Sequence, residues 1–193
     1  MKTKILTLIV GIFYIPLLLP LLVRNKDVIL ADTNSMYKHG RTPFSGLLGI
    51  LYLLIHNKYF RNIYYDRMNT HNVILRLLYP PAETFVLGKN VGPGLYAAHP
   101  FATIVNVKRA GKNLSIRNST TIGNKNVGKN EDCPTIGDNV TIGANVCIIG
   151  NITIGNNVTI GAGSVVVKNI ESNAIVVGNP TRIIGYNPVV SEN

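Results

Sequence analysis

An aliphatic residue recurs at every sixth position from Ile136 to Val166, and this spacing restricts the possible folds more than any other feature. The repeated positions are Ile136, Ile142, Ile148, Ile154, Ile160 and Val166. A helix repeats about every 3.6 residues and a strand every 2, so neither element alone explains a period of six. Glycine, asparagine and aspartate fill the intervals and tolerate the left-handed backbone angles of sharp turns.

A hexapeptide period is typical of a parallel β-helix. A second aliphatic position follows four residues after the first, at Val140, Val146, Ile152 and Val158. Both positions are predicted to point inward and to bracket a bend, so that three short faces close a triangular coil of about eighteen residues. One coil cannot bury its inner column alone, so several coils must stack.

The same spacing extends backwards through the chain. It predicts inward positions at Ile104, Ala110, Ile116 and Ile122, and a first coil at Val86–Tyr96, for roughly four to five coils in total. The phase breaks between Ile122 and Ile136, which are fourteen residues apart rather than twelve. Residues 123–134 are therefore predicted to form a loop, and such loops often carry function. Residues 178–185 are expected to end the helix and fold back over it.

The N-terminal residues 1–80 have a different composition. Residues 5–23 form an uncharged apolar run and residues 47–55 a second, and residues 56–68 mix tyrosine with lysine and arginine. Ten Lys/Arg face three Asp/Glu in residues 1–80. This combination predicts helices associated with an anionic membrane surface, at the inner face of the cell membrane, rather than with nucleic acid. The alternative is that these helices pack on one another or on partner subunits in water.

Two prolines, Pro80 and Pro81, mark the predicted boundary, because proline stops a helix. We predict a helical region at 1–80, a β-helix domain at 81–185 and a tail at 186–193. Cys133 and Cys147 lie fourteen residues apart without a CxxC pair, so no metal site is predicted.

Three segments together resemble one family: "VGPGLYAAHPFATIVN", "TIGANVCIIGNITIGNNVTIGAGSVVV" and "VGNPTRIIG". They are similar to the hexapeptide-repeat acyltransferases, and most of all to serine O-acetyltransferases and their relatives in polysaccharide biosynthesis. The resemblance covers about Val86–Gly185. It implies a mainly β chain with a left-handed parallel β-helix, a homotrimer with active sites between neighbouring prisms, acetyl-CoA as co-substrate and no metal.

The resemblance places the family's catalytic base on His99. Acetyl transfer needs a base with a pKa near 7 to take the hydroxyl proton, and imidazole has one. His99 is also the one histidine within the repeat region. The serine enzymes carry an aspartate fifteen residues before this histidine; that position is Thr84 here, and the adjacent Glu83 is the predicted orienting carboxylate.

The acceptor is predicted from a departure from the family pattern. Cys133 stands where the serine enzymes have a second histidine, so Asp132 and Cys133 are the predicted acceptor contacts. We expect the acceptor to be a sugar or glycan intermediate of surface polysaccharide. The alternatives are serine O-acetylation for cysteine biosynthesis and a non-catalytic scaffold.

The resemblance also implies the donor site. Small residues on the late coils leave room for the pantetheine arm, namely Ala144, Ala162 and Gly163. Lys168 and Arg182 are the predicted cations for the CoA phosphates, since both can bind phosphate oxygens.

Overall fold

The computed structural model describes residues 2–18, 25–69, 71–126 and 128–188. The chain divides into two compact units, Met1–Glu83 and Thr84–Asn193, and each is described by itself. The predicted apolar run at residues 5–23 lies partly outside the described residues.

The first unit, called the helical unit, is built from helices. Its elements are α1 (Lys2–Gly11), a 3₁₀ turn (Ile12–Tyr14), α2 (Ile15–Leu18), α3 (Lys26–Lys38), α4 (Gly46–His56), α5 (Lys58–Met68) and α6 (Val73–Leu78). Asparagine begins two of these helices: Asn57 accepts from Tyr59 N and Phe60 N at 3.0 Å, and Asn72 accepts from Leu75 N. These side chains bond amides that the helix itself leaves unpaired. No helix within the described ranges has the length and apolar character needed to cross a bilayer.

Helix α4 packs against α1, α3 and α5. Two glycines permit close approaches of α4 to α1 and α3: a Cβ on Gly11 would lie 2.5 Å from the Leu51 side chain, and one on Gly49 would lie 2.9 Å from Thr33 Cγ2. Helices α3 and α5 are joined by a buried ion pair in which Arg67 Nε lies 2.9 Å from Asp32 Oδ2. The helical unit therefore combines an apolar core with one buried charged contact.

The second unit, called the coil unit, consists of short strands separated by bends. They are β1 (Phe85–Leu87), β2 (Tyr96–Ala98), β3 (Thr103–Val105), β4 (Arg109–Ala110), β5 (Ser115–Arg117), β6 (Thr121–Gly123), β7 (Thr135–Ile136), β8 (Thr141–Ile142), β9 (Cys147–Ile149), β10 (Thr153–Ile154), β11 (Thr159–Ile160), β12 (Val165–Val166), β13 (Ala174–Val177) and β14 (Arg182–Tyr186).

Three sheets line the coils, and we name them I, II and III in the order in which the chain visits them. Sheet I contains β1, β3, β6, β9 and β12; sheet II contains β4, β7 and β10; sheet III contains β2, β5, β8, β11, β13 and β14. Single bridges from Val91 to Ala110 and from Ile154 to Ile170 extend sheet II into the first and last coils. The described strands thus form five coils of the left-handed parallel β-helix that the repeat and the resemblance predicted.

The inner column follows the six-residue repeat. The aliphatic residues at this spacing between Ile136 and Val166 are each no more than 2% exposed, and strands one coil apart align them, as in Ile122 with Ile148. Fully burying each such side chain contributes about 1.5–3 kcal/mol relative to leaving it exposed. At the far end, β14 pairs antiparallel with β13, so the chain folds back there as predicted.

The predicted inward position at Ile104 is wrong. The Ile104 side chain is 45% exposed, whereas Val105 is fully buried and aligns with Ile122. The reason lies in the spacing of the neighbouring bends. Only five residues separate Val105 from Ala110, one fewer than the period, so counting six back from Ala110 reaches Ile104 instead of Val105. Before β3, eight residues separate Ala97 from Val105, against six from Ile116 to Ile122, so the bend between β2 and β3 holds two extra residues.

Candidate active site

His99 lies in this enlarged bend, directly after β2, and its side chain is exposed. The bend contains two non-glycine residues in the left-handed region, His99 at φ 49° and Ala102 at φ 49°. Such angles are uncommon outside glycine and cost conformational energy. Phe101 N donates to His99 O at 2.6 Å, and Ser119 N donates to Phe101 O at 2.8 Å, so the next coil supports the bend. The structure therefore presents His99 outward on a supported turn.

The small residues predicted for the donor lie on the same edge of the prism as His99. We call it the III–I edge, because it comprises the bends that lead from sheet III to sheet I. Asn145 N donates to Asn118 O at 3.1 Å, and Gly163 N donates to Ala144 O at 2.9 Å. Ala144 is two coils and Ala162 three coils beyond His99, roughly 10 and 14 Å at about 4.8 Å per coil.

The two predicted phosphate-binding cations lie together at the end of the prism. Lys168 and Arg182 both line a hollow of about 570 Å³ beside coils 4 and 5. Arg182 begins β14 and aligns with Val177, the last residue of β13. Glu171 also lines the hollow and accepts a hydrogen bond from Tyr186 Oη at 2.6 Å. This bond to a carboxylate raises the pKa of Tyr186 above its ordinary value.

The predicted acceptor contacts lie on another edge. Asp132 ends a 3₁₀ turn (Asn130–Asp132) in the loop of coil 3, between sheets I and II, and Asn126 Nδ2 donates to its carboxylate at 2.5 Å. Cys133 is only 1% exposed. Burial raises the pKa of the Cys133 thiol, and the neighbouring Asp132 carboxylate raises it further. Within one chain, therefore, the structure does not bring this loop to the III–I edge.

Glu83 is exposed and is the last residue of the helical unit, whereas His99 belongs to the coil unit. Its role as the orienting carboxylate stays a prediction.

The sequence analysis missed two residues beside His99. Arg117 ends β5 with its side chain exposed, and it aligns with Ala98, the residue before His99. Phe101 is 56% exposed within the same bend. Only the pairing register reveals that Arg117 is a neighbour, because eighteen residues separate it from His99 in the sequence.

A cluster of three or more metal-ligating side chains is absent from the described part of the chain. The general-base role predicted for His99 would need no metal, because an imidazole can itself take the proton.

Comparisons with known proteins identify the family. Residues 133–168 match the family model described as bacterial transferase hexapeptide (six repeats). A serine acetyltransferase of Staphylococcus epidermidis is 32% identical over 149 residues, which covers 74% of this chain and 67% of that protein. The chain therefore belongs to the hexapeptide-repeat acyltransferase family.

Two further relatives bear on the ligands. A protein of Escherichia coli named as a colanic acid biosynthesis acetyltransferase, WcaB, is 49% identical over 86 residues, covering 44% of this chain and 52% of WcaB. The crystal structure of a Brucella abortus serine acetyltransferase in complex with coenzyme A is 26% identical with a TM-score of 0.63, and the match covers 91% of this chain and 73% of that one. The chain spans about a quarter to a half of the length of the first curated relatives it matches.

Proposed function

We propose that the chain is an acetyl-CoA-dependent O-acetyltransferase in which His99 is the general base. The position of His99 on the III–I edge, in line with Ala144 and Gly163, carries this proposal. The imidazole takes the proton of the acceptor hydroxyl, and the hydroxyl oxygen attacks the thioester carbonyl. The tetrahedral intermediate collapses with cleavage of the C–S bond, and the CoA thiolate leaves and takes up a proton.

Serine is the acceptor that the relatives support best. The sequence analysis expected a sugar hydroxyl first and serine second, but relatives named as serine acetyltransferases dominate the comparisons. Arg117 agrees with serine, because an exposed guanidinium beside His99 suits the carboxylate of an amino acid.

A sugar hydroxyl is the second candidate, and two observations favour it. Relatives from Escherichia coli and Shigella flexneri are named for colanic acid biosynthesis. In addition, the buried Cys133 with its raised pKa stands where the serine enzymes have a histidine, and a neutral thiol is a poor replacement for that group.

The proposed assembly is a homotrimer at the inner face of the cell membrane. The family resemblance supports the trimer, since it implies active sites between neighbouring prisms. A site completed by a second copy agrees with the placement of Asp132 and His99 on different edges of one prism.

CoA release from acetyl-CoA tests the activity. The full chain is assayed with free serine and, separately, with a panel of sugars. We expect release with one acceptor class, and a loss of about 10²–10⁴-fold in kcat/KM for His99→Ala. The matched control is His71→Ala, which removes an exposed histidine of the helical unit and should leave the rate unchanged.

Two results would overturn the proposal: full activity in His99→Ala, or no CoA release with any acceptor together with no binding of acetyl-CoA. CoA release with serine but not with sugars would identify serine as the acceptor. CoA release with a sugar but not with serine would identify the sugar as the acceptor.

A further inference from the structure

Helix α1 of the helical unit turns its large apolar side chains outward. Those of Ile5, Leu6, Leu8, Ile9, Ile12 and Phe13, on α1 and the following 3₁₀ turn, are between 50% and 72% exposed. A helix that packs in water normally directs such residues into the core. This set of neighbouring side chains is therefore a surface in need of a partner.

The small residues of α1 face the protein instead. Thr7 is 1% exposed, and Gly11, four residues later on the same helix face, contacts Leu51 of α4. The Thr7 hydroxyl is buried without a hydrogen-bond partner among the described residues. Helices in lipid often pack on one another through small residues and turn their large apolar residues toward the lipid. Burying large side chains between such helices brings no hydrophobic gain, because the lipid tails are equally apolar.

Helix α6 has the same inverted orientation. Its exposed residues, between 62% and 79% exposed, are Val73, Ile74, Leu77 and Leu78. Its inner side is polar: Tyr65 Oη of α5 donates to Leu75 O at 3.0 Å, and the Arg76 guanidinium lies 4.9 Å from the centre of the Tyr65 ring. A helix that turns an arginine inward and four large aliphatic residues outward does not follow the pattern of a water-soluble surface.

The two exposed surfaces meet at a pair of tyrosines. The rings of Tyr14 and Tyr79 lie 4.8 Å apart, and Tyr79 Oη donates to Phe13 O. Tyr14 follows the exposed residues of α1 and Tyr79 follows α6. Together we call the exposed residues of α1, the 3₁₀ turn and α6 the apolar face.

We propose that the apolar face binds an anionic lipid bilayer. Charge complementarity selects this occupant: residues 1–80 carry ten Lys/Arg against three Asp/Glu, and Lys4, Lys26 and Lys58 are exposed. Basic groups beside an apolar surface are attracted to anionic headgroups, whereas two copies of this unit would bring like charges together. The pair Tyr14 and Tyr79 has the amphipathic rings found at membrane interfaces.

Sedimentation with vesicles tests the proposal on the full chain. The vesicles contain phosphatidylcholine alone or phosphatidylcholine mixed with phosphatidylglycerol. We expect binding to the mixed vesicles that weakens with salt, and a loss of more than about tenfold in the variant Ile9→Glu/Leu77→Glu. The control is Tyr37→Glu, which places a single glutamate at a 47% exposed aromatic residue of α3 and should bind as wild type.

A second measurement does not depend on a disruptive variant. The chain contains no tryptophan, so Phe13→Trp and Tyr37→Trp each introduce a single probe. We expect brominated lipid to quench the probe at position 13 and not the one at position 37. The readouts involve no acetyl transfer, so they stand or fall independently of the enzymatic proposal.

Three outcomes would overturn the proposal: no binding to either vesicle, equal loss of binding in the Tyr37→Glu control, or equal quenching of both probes. A lipid-free wild-type oligomer that Ile9→Glu/Leu77→Glu dissociates, without vesicle binding, would also overturn it and assign the face to a contact between copies.

Discussion

The coil unit and two helices of the helical unit, α1 and α6, place their large apolar side chains by opposite rules. In the coil unit, each strand from β1 to β13 directs an aliphatic residue inward, and the same position repeats from coil to coil, as in Ile122, Ile148 and Val166. In the helical unit, α1 and α6 turn small or polar residues toward their neighbours and leave large apolar ones exposed. In a repeat, the position of a residue within its six-residue unit determines whether its side chain is buried. In a set of dissimilar helices, the contacts that each helix makes with its neighbours determine which side chains are buried.

The Asp32–Arg67 pair gives the sharpest test on the helical side. Asp32→Ala removes the carboxylate that pairs with Arg67, whose side chain is only 8% exposed. Because the guanidinium then stays buried without this partner, we expect a loss of about 3–5 kcal/mol in the free energy of unfolding. The measurement is denaturant unfolding followed by the helical circular dichroism signal. Asp27→Ala, an exposed carboxylate in the first turn of the same helix, should cost less than about 1 kcal/mol. Equal costs for the two variants would show that the buried pair does not hold the helices.

The same substitution at two isoleucines tests the coil side. Ile148→Ala opens a cavity at a fully buried position and should cost about 2–5 kcal/mol. Ile104→Ala removes a side chain that is 45% exposed and should cost less than about 1 kcal/mol. Thermal unfolding of both variants measures the difference. If Ile104→Ala were as costly as Ile148→Ala, the assignment of the inward position to Val105 rather than Ile104 would be wrong.

A smaller effect is expected where the coil unit meets the acceptor. Arg117→Gln removes the cation that aligns with the residue before His99, so KM for serine should rise about tenfold if the guanidinium binds the carboxylate. The kinetics of Arg109→Gln, an exposed cation on β4, serve as the control. An unchanged KM for serine would show that Arg117 does not bind the acceptor. The KM for a neutral sugar should be the same in Arg117→Gln and the wild type.

The mildest expected difference concerns the two thiols. Burial and the Asp132 carboxylate raise the pKa of Cys133, so less of it is thiolate at a given pH, and the half-buried Cys147 should react first with iodoacetamide. Reaction at Cys133 should become measurable only as the pH rises toward the raised pKa. Peptide mass spectrometry across a pH series locates the modified residue. Faster modification of Cys133 at neutral pH would contradict the burial of this loop thiol.

The positions of some candidate site residues follow from the sequence, but their surroundings do not. His99 was predicted from the resemblance and from its place in the repeat region, and Ala144 and Gly163 fall on its edge because the six-residue period repeats the bend. Arg117 could not be predicted, because its proximity depends on strand register. The loop with Asp132 and Cys133 lies between sheets I and II, not on the III–I edge. The local sequence does not indicate which edge of the prism a loop occupies.

By itself, the sequence determined the inner column of the coils. With a period of six, each repeated aliphatic residue is buried when it points into the column, and the neighbouring coils pair with the backbone N–H and C=O groups of its strand. Only the tertiary structure decided the features that depend on counting between coils: the two extra residues around His99, the shift of the inward position from Ile104 to Val105, and the neighbour at Arg117. It also decided which side of α1 and α6 faces the protein: Gly11 lies against Leu51 of α4, far along the chain, and Leu75 O accepts from Tyr65 of the preceding helix α5. Local periodicity specifies an element, whereas contacts between distant residues specify its register and its exposed face.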